Sequence, residues 1–264
     1  MGWRIRVVGL ALGLGAAMAA RGAESLSIAG AANLGAPLEA LTAEFTKGPR
    51  APDVKVALGA SGSLVAQITN GAPYDVLLSA DPAFADALVK SGNADPRSLA
   101  PFAVGRLVLW TLKPGLDVSD IAAAVRSPMV RALAIANTDS APYGRAARQA
   151  LEKLGLWADA MPKLVTAENI SQAAQFVETG NADAGFVAMS AVLSPRLKGR
   201  GRWTEVPAAL HEALVQVAVV TVRGSANPQS ARFVAFLRGE AARRILEGFG
   251  YAIPAPGAAG REGP

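Results

Sequence analysis

Acid, base or nucleophilic catalysis needs groups that this chain scarcely has: its 264 residues include one histidine, His211, and no cysteine. That excludes cysteine–histidine catalysis and the usual zinc sites. A triad of Ser61, His211 and an aspartate is arithmetically possible. However, Gly59-Ala60-Ser61-Gly62 lacks the G-x-S-x-G spacing that sets a serine on a strand-to-helix elbow. His211 lies in a polar stretch and is expected at the surface. There is no G-x-x-x-x-G-K-[ST] segment, and the G-x-G of Gly13 to Gly15 belongs to the leader, so neither nucleotide nor cofactor is expected.

What recurs is a small polar residue or turn placed after a strand-like run and just ahead of a helical one. Asn33 follows Gly30-Ala31-Ala32, Ser61 sits in Gly59-Ala60-Ser61-Gly62-Ser63, Tyr143-Gly144 precedes a long helical run, and Ile170 follows Glu168-Asn169. Helix N-termini carry partial positive charge and unpaired N–H donors. Several of them converging would bind an anion without any Lys or Arg. Each loop alone reads as an ordinary helix cap, so the inference rests on the set. Pro37, a natural first-turn residue, suggests that Asn33 precedes its helix.

The elements that must position these loops alternate. Leu26 to Ala29 reads as a short strand, and Leu34, Leu38, Leu41 and Phe45 form the stripe of an amphipathic helix. Val54 to Leu58 alternates as a half-buried strand, residues 59–63 form a loop, and a short helix runs over Leu64 to Thr69. Asp75 to Ser79 is the next strand, and Pro82 opens a helix to Lys90. Further strands are expected at Arg106 to Thr111, Leu133 to Ala136, Val165 and Gly185 to Ala188. Helices are expected over Arg145 to Leu154 and on the face of Ile170, Ala173, Ala174 and Val177. Ser194 to Glu205, with Arg196, Lys198, Arg200 and Arg202, reads as a basic solvated loop. Val215 to Val222 is a buried strand, followed by helices over Pro228 to Leu237 and Glu240 to Phe249. Such βαβα alternation gives an α/β protein with mainly parallel sheets covered on both faces.

Residues 1–23 have a basic start (Arg4, Arg6), an apolar run from Val7 to Ala20 and an A-x-A-like site at Ala17-Met18-Ala19, which is the pattern of a cleaved signal peptide. The run is too short to span a bilayer, which takes about 20 residues. Export to a Gram-negative periplasm is expected, and without cysteine the mature chain has no lipid anchor through a thioether. Removing Arg4, Arg6 and Arg21 leaves 23 basic against 21 acidic residues, so no nucleic-acid signature remains. The tail, residues 256–264, is rich in Gly, Ala and Pro and is expected to be disordered.

Several of these segments together match a known family. Ser27-Ile28-Ala29-Gly30-Ala31-Ala32-Asn33-Leu34, Gly59-Ala60-Ser61-Gly62-Ser63-Leu64 with Gln67-Ile68, and Gly71-Ala72-Pro73-Tyr74-Asp75-Val76 with Ser79-Ala80-Asp81 carry the match. Ala141-Pro142-Tyr143-Gly144 and Gly248-Phe249-Gly250-Tyr251 complete it. Over nearly its whole mature length the chain resembles the periplasmic molybdate-binding proteins of ABC importers. The resemblance implies a two-lobe periplasmic-binding-protein fold of type II, with lobe 1 made of residues 24–104 and 213–255 and lobe 2 of residues 105–212. It implies a non-enzymatic monomer that holds molybdate or tungstate as an oxyanion, with no bare metal cation. The donors would be Asn33, Ser61 and the backbone amides at Tyr143 and Ile170. The partner would be an inner-membrane permease with its ATPase. Where some members have a tyrosine donor this chain has Ala188, and Ala32 cannot supply the hydroxyl found there in others.

Two alternatives stay open at this level. One is the same fold holding another small anion. A carboxylate would call for an arginine fork, for which Arg145 is the one candidate, and phosphate for a carboxylate acceptor, Asp139 or Glu168. Sulfate is the third such anion. The other is a secreted serine hydrolase using Ser61.

Overall fold

The structure, a computed structural model, describes residues 25–47 and 51–254. The expected signal peptide and the tail from residue 256 lie outside them. Strand β1 (Ser25–Ala31) passes through a 3-10 turn (Ala32–Leu34) into α1 (Gly35–Phe45), followed by β2 (Asp53–Gly59), α2 (Ser61–Thr69), β3 (Val76–Ser79), α3 (Pro82–Lys90) and β4 (Ala100–Gly105). The chain then crosses through Arg106 into β5 (Leu107–Thr111), α4 (Ile121–Arg126), β6 (Leu133–Ala136), α5 (Pro142–Lys153) and α6 (Trp157–Ala160). After β7 (Leu164–Ala167), α7 (Ile170–Glu178), β8 (Ala184–Ala188), α8 (Met189–Val192) and β9 (Arg202–Glu205), it returns as β10 (Leu214–Val220), α9 (Pro228–Leu237) and α10 (Glu240–Gly248).

Two five-stranded sheets result, in the orders β2-β1-β3-β10-β4 and β7-β6-β8-β5-β9. In each, the first three strands run parallel and the fourth is antiparallel to both neighbours. Parallel neighbours need crossover helices, and these cover the faces. Each sheet with its helices is called a lobe below. β4 leaves the first lobe and β10 re-enters it, paired to each other from Leu214 opposite Gly105 to Ala218 opposite Ala100.

The period-2 alternation of the strands sorts the first lobe's core into two layers. Leu26 and Ile28 of β1 face Leu38 and Leu41 of α1, and Phe233, Leu237 and Leu246 of the last two helices. Ala29 points the other way, toward Leu64 and Ile68 of α2 and Leu88 of α3. β10 does the same, with Ala218 and Val220 in one layer and Val217 and Val219 in the other. Phe45 and Phe233 meet edge to face at 5.0 Å between centroids. In the second lobe, Ile170, Ala173, Ala174 and Val177 form the buried face of α7.

Five expectations are corrected. The sheets are mixed and not mainly parallel, with four parallel and four antiparallel pairings, because β10 and β5 each run back between their neighbours. Ser61 to Ser63 belong to α2 and not to a loop. β2 is an edge strand with a neighbour on one side only, so Val56 and Leu58 stay 41% and 48% exposed where alternation suggested burial. The basic stretch 194–205 is not simply a solvated loop. Arg202–Glu205 pairs with β5, and Arg196 and Arg200 both bind the Glu178 carboxylate. His211 is buried, not at the surface, with Nδ1 2.7 Å from the Glu212 carbonyl oxygen, because the return from β9 to β10 folds it beneath the chain.

Asp183 fastens the base of the second lobe. Its carboxylate accepts from Lys113 Nζ (2.6 Å) and from the N–H groups of Arg131 (2.8 Å) and Ala132 (3.0 Å). Partial burial pushes its pKa up, but these hydrogen bonds outweigh that and hold it below the usual carboxylate range. The stabilisation is therefore complete above the unfolded-state pKa and is lost as pH falls through the lower folded-state value. Asp183→Asn is expected to cost about 1–3 kcal/mol at neutral pH. In thermal melts the gap between variant and wild type should close below about pH 4.

Candidate functional site

The described helices differ in how their N-termini are finished. Asp81, Asp120 and Asn227 accept from first-turn N–H groups of α3, α4 and α9. By contrast, α2 and α5 begin after Ala60 and Ala141, which have no side-chain acceptor, and the 3-10 turn before α1 begins after Ala31. First-turn N–H groups have no acceptor within their own helix, so these ends keep their donors. Asn169 does cap α7, but onto Ser171 and Gln172, which leaves the Ile170 N–H.

The starts of α2, α5, α7 and the 3-10 turn meet. Asn33, Ser61, Tyr143 and Ile170 line one small cavity between the lobes, and no charged side chain lines it. The approach depends on two glycines. At Gly144 a methyl group would sit 2.3 Å from the Ala136 carbonyl oxygen, so only glycine lets α5 start this close to the end of β6. At Gly62 it would meet Phe84 at 2.9 Å and the Ser140 backbone of the opposite lobe at 3.2 Å. The Gly62 N–H instead donates across the gap to the Ser140 carbonyl at 3.0 Å.

The lobes are closed on each other. Besides that bond, Ser171 Oγ donates to the Ala32 carbonyl (2.8 Å) and Ser190 Oγ to the Asn33 carbonyl (2.7 Å). At the rim, Arg145 of α5 binds Asp81 of the first lobe, with Glu212 at 3.7 Å.

Ser61 is fully buried, and its Oγ accepts from the Ala80 N–H at 3.1 Å. Its own hydrogen is left to donate. It makes no bond to His211, whose ring nitrogen is held by Glu212, so the triad does not form. Asn33 is buried as well, but both Nδ2 hydrogens are used, on Gln216 Oε1 and Tyr251 OH at 2.8 Å each. Its side chain therefore has no donor for a ligand, and its free donor is the backbone N–H. The Tyr143 side chain runs away from the cavity to Gly105, beside Tyr251 and Asn33. Desolvation, then the neighbouring Tyr251, push the Tyr143 phenol well above its usual pKa, and desolvation pushes Tyr251 up to about 12.

Sequence reasoning did not single out Gln216, Ser171 or Ser190, and it saw Tyr251 only as part of a motif. Their role is a matter of long-range pairing that no local pattern carries. Of the residues considered for rival ligands, Asp139 and Glu168 do not line the cavity, and Arg145 is engaged at the rim. Ala188 lies in a neighbouring pocket that also touches Asn33 and Ile170.

The family profile described as bacterial extracellular solute-binding protein matches residues 26–252. The molybdate-binding protein ModA of Azotobacter vinelandii is 40% identical over 245 residues, covering 92% of this chain and 96% of the relative. The ModA of Rhodobacter capsulatus is 39% identical over 248 residues, covering 94% and 96%. The solved structure of the Azotobacter vinelandii periplasmic molybdate-binding protein superimposes with a TM-score of 0.82 at 36% identity, covering 87% of this chain and 100% of that one. The chain is a binding protein and not an enzyme: it belongs to the bacterial extracellular solute-binding proteins, within their molybdate-binding family.

Proposed function

We propose that the protein captures molybdate or tungstate between its lobes in the periplasm and delivers it, as a monomer, to an inner-membrane ABC permease with its ATPase. The observation that carries this reading is the convergence of uncapped helix starts on a cavity without charged side chains. The N–H groups of Asn33, Ser61, Tyr143 and Ile170, with the Ser61 hydroxyl, offer donors and no acceptor facing the ligand. Such a set favours an oxyanion that carries no proton. Phosphate near neutral pH brings a proton that would need an acceptor, and an organic carboxylate would miss its arginine fork. Sulfate shares the shape and charge of molybdate, and cavity size would separate the two. Closure by hinge motion about the β4 and β10 crossing would bring the donors of the second lobe onto an anion first caught by either side.

Calorimetric titration of the dialysed mature protein with molybdate, tungstate, sulfate and phosphate tests the reading. One-to-one binding of the first two with no heat from the others is expected, and preference for sulfate or phosphate would overturn the ligand assignment. Ser61→Ala removes a hydroxyl donor to a charged ligand and is expected to weaken molybdate binding by about 1.5–3 kcal/mol.

Affinity should also be flat between about pH 6 and pH 9. The phenols nearest the site have their pKa values pushed up and stay protonated there, and no charged group lines the cavity. A titration series across that range showing more than about a tenfold change would place an ionising group at the ligand.

A further inference from the structure

Asn33 is the most constrained residue of the site, and the oxyanion reading uses only its N–H. Its carboxamide donates one hydrogen to Gln216 Oε1 and the other to Tyr251 OH, both at 2.8 Å. The Tyr251 hydroxyl returns its own hydrogen to the Asn33 carbonyl at 3.0 Å. That carbonyl takes a second bond from Ser190 Oγ of the other lobe, so both its lone pairs are filled. Gln216 is itself locked, because its Nε2 donates to the Leu214 carbonyl at 2.7 Å. Asn33, Ser190, Gln216 and Tyr251 are all buried.

The position of these partners matters as much as their bonds. Gln216 lies on β10 opposite Ala103, where the chain crosses between lobes, and Ala252, next to Tyr251, pairs with Val104 of β4. The cluster thus sits on the hinge. Tyr143, which lines the cavity, sends its phenol into the same cluster beside Tyr251. One residue along the turn, the Ala32 carbonyl accepts from Ser171 of α7 at 2.8 Å. In a trans peptide the carbonyl of Ala32 and the N–H of Asn33 point in opposite directions, so fixing one aims the other.

We propose that Tyr251, with Gln216, is a positioning residue for the oxyanion site: it holds the 32–34 turn so that the Asn33 N–H faces the ligand while the Ala32 and Asn33 carbonyls face Ser171 and Ser190 of the opposite lobe. The turn reads out closure, since its two carbonyls find their serine donors only when the lobes meet. The inference rests on the oxyanion reading and assigns Tyr251 a role without ligand contact.

The test is a double-mutant cycle on the full mature chain, with molybdate as the probe, reading affinity by calorimetry and stability by melting of the ligand-free protein. Tyr251→Phe keeps the ring and removes the hydroxyl that bonds Asn33. It is expected to weaken molybdate binding about tenfold or more. In an Asn33→Ala background, where only the bond from Tyr251 to the backbone carbonyl of residue 33 remains, the same change should have a clearly smaller effect, a coupling that a merely structural tyrosine would not give. Wild-type affinity in Tyr251→Phe, or the same loss in both backgrounds, would overturn the proposal. If Tyr251→Phe does not fold, Ser190→Ala tests the same turn from the other lobe. It should speed molybdate release in stopped-flow measurements without slowing capture, and unchanged release would count against the proposal. A wild-type protein that binds neither molybdate nor tungstate would sink the oxyanion reading itself, a result distinct from either mutant outcome.

Discussion

A backbone N–H in the first turn of a helix has no acceptor inside that helix, and leaving it buried and unpaired is costly. At α3, α4, α7 and α9 an Asp or Asn meets the need. At the cavity between the lobes alanine stands in the cap position of α2 and α5, so the donors remain available. The rest of the architecture serves that arrangement. Strand ends deliver the helix starts, glycines let them approach, and two sheets bring separate sets of donors face to face. A site of neutral dipoles also suits a ligand that must be released, because it stores no full countercharge.

The closed state is held by a few directional bonds together with contacts between small apolar residues. Gly62 to Ser140, Ser171 to Ala32, Ser190 to Asn33 and the Asp81–Arg145 pair span the gap. Beside them, Ala31, Ala32, Ala60, Ala80 and Leu214 of the first lobe pack into the core cluster of the second. Opening breaks both the bonds and these contacts, and an anion that adds donor bonds to both sides can shift the balance toward closure.

Much of this was legible in the residues. The helical stripe of Leu34, Leu38, Leu41 and Phe45, the buried face of α7 and the β-branched run of β10 follow from periodicity. The loops at Asn33, Ser61, Tyr143 and Ile170 stood out by their place between strand and helix. Edge effects were not legible: the exposure of Val56 and Leu58 depends on β2 having one neighbour, and the pairing of Arg202–Glu205 depends on β5, which lies far back in the chain. Asn33 shows the same limit within the site. Its residue type suggested a side-chain donor, whereas Gln216 and Tyr251, remote in sequence, take both hydrogens.

The order of strands also carries a cost in time. All strands of the second sheet lie between Leu107 and Glu205, so that lobe can assemble from one continuous stretch. The first sheet cannot, because its fourth strand pairs Val217 with Ser79, roughly 140 residues earlier, and such distant pairings make for slow folding. Until the last quarter of the chain arrives, β3 and β4 have an open slot between them. The donors contributed by the first lobe are thus the last to be set, and a chain cut short before β10 would present half a site on an unfinished sheet.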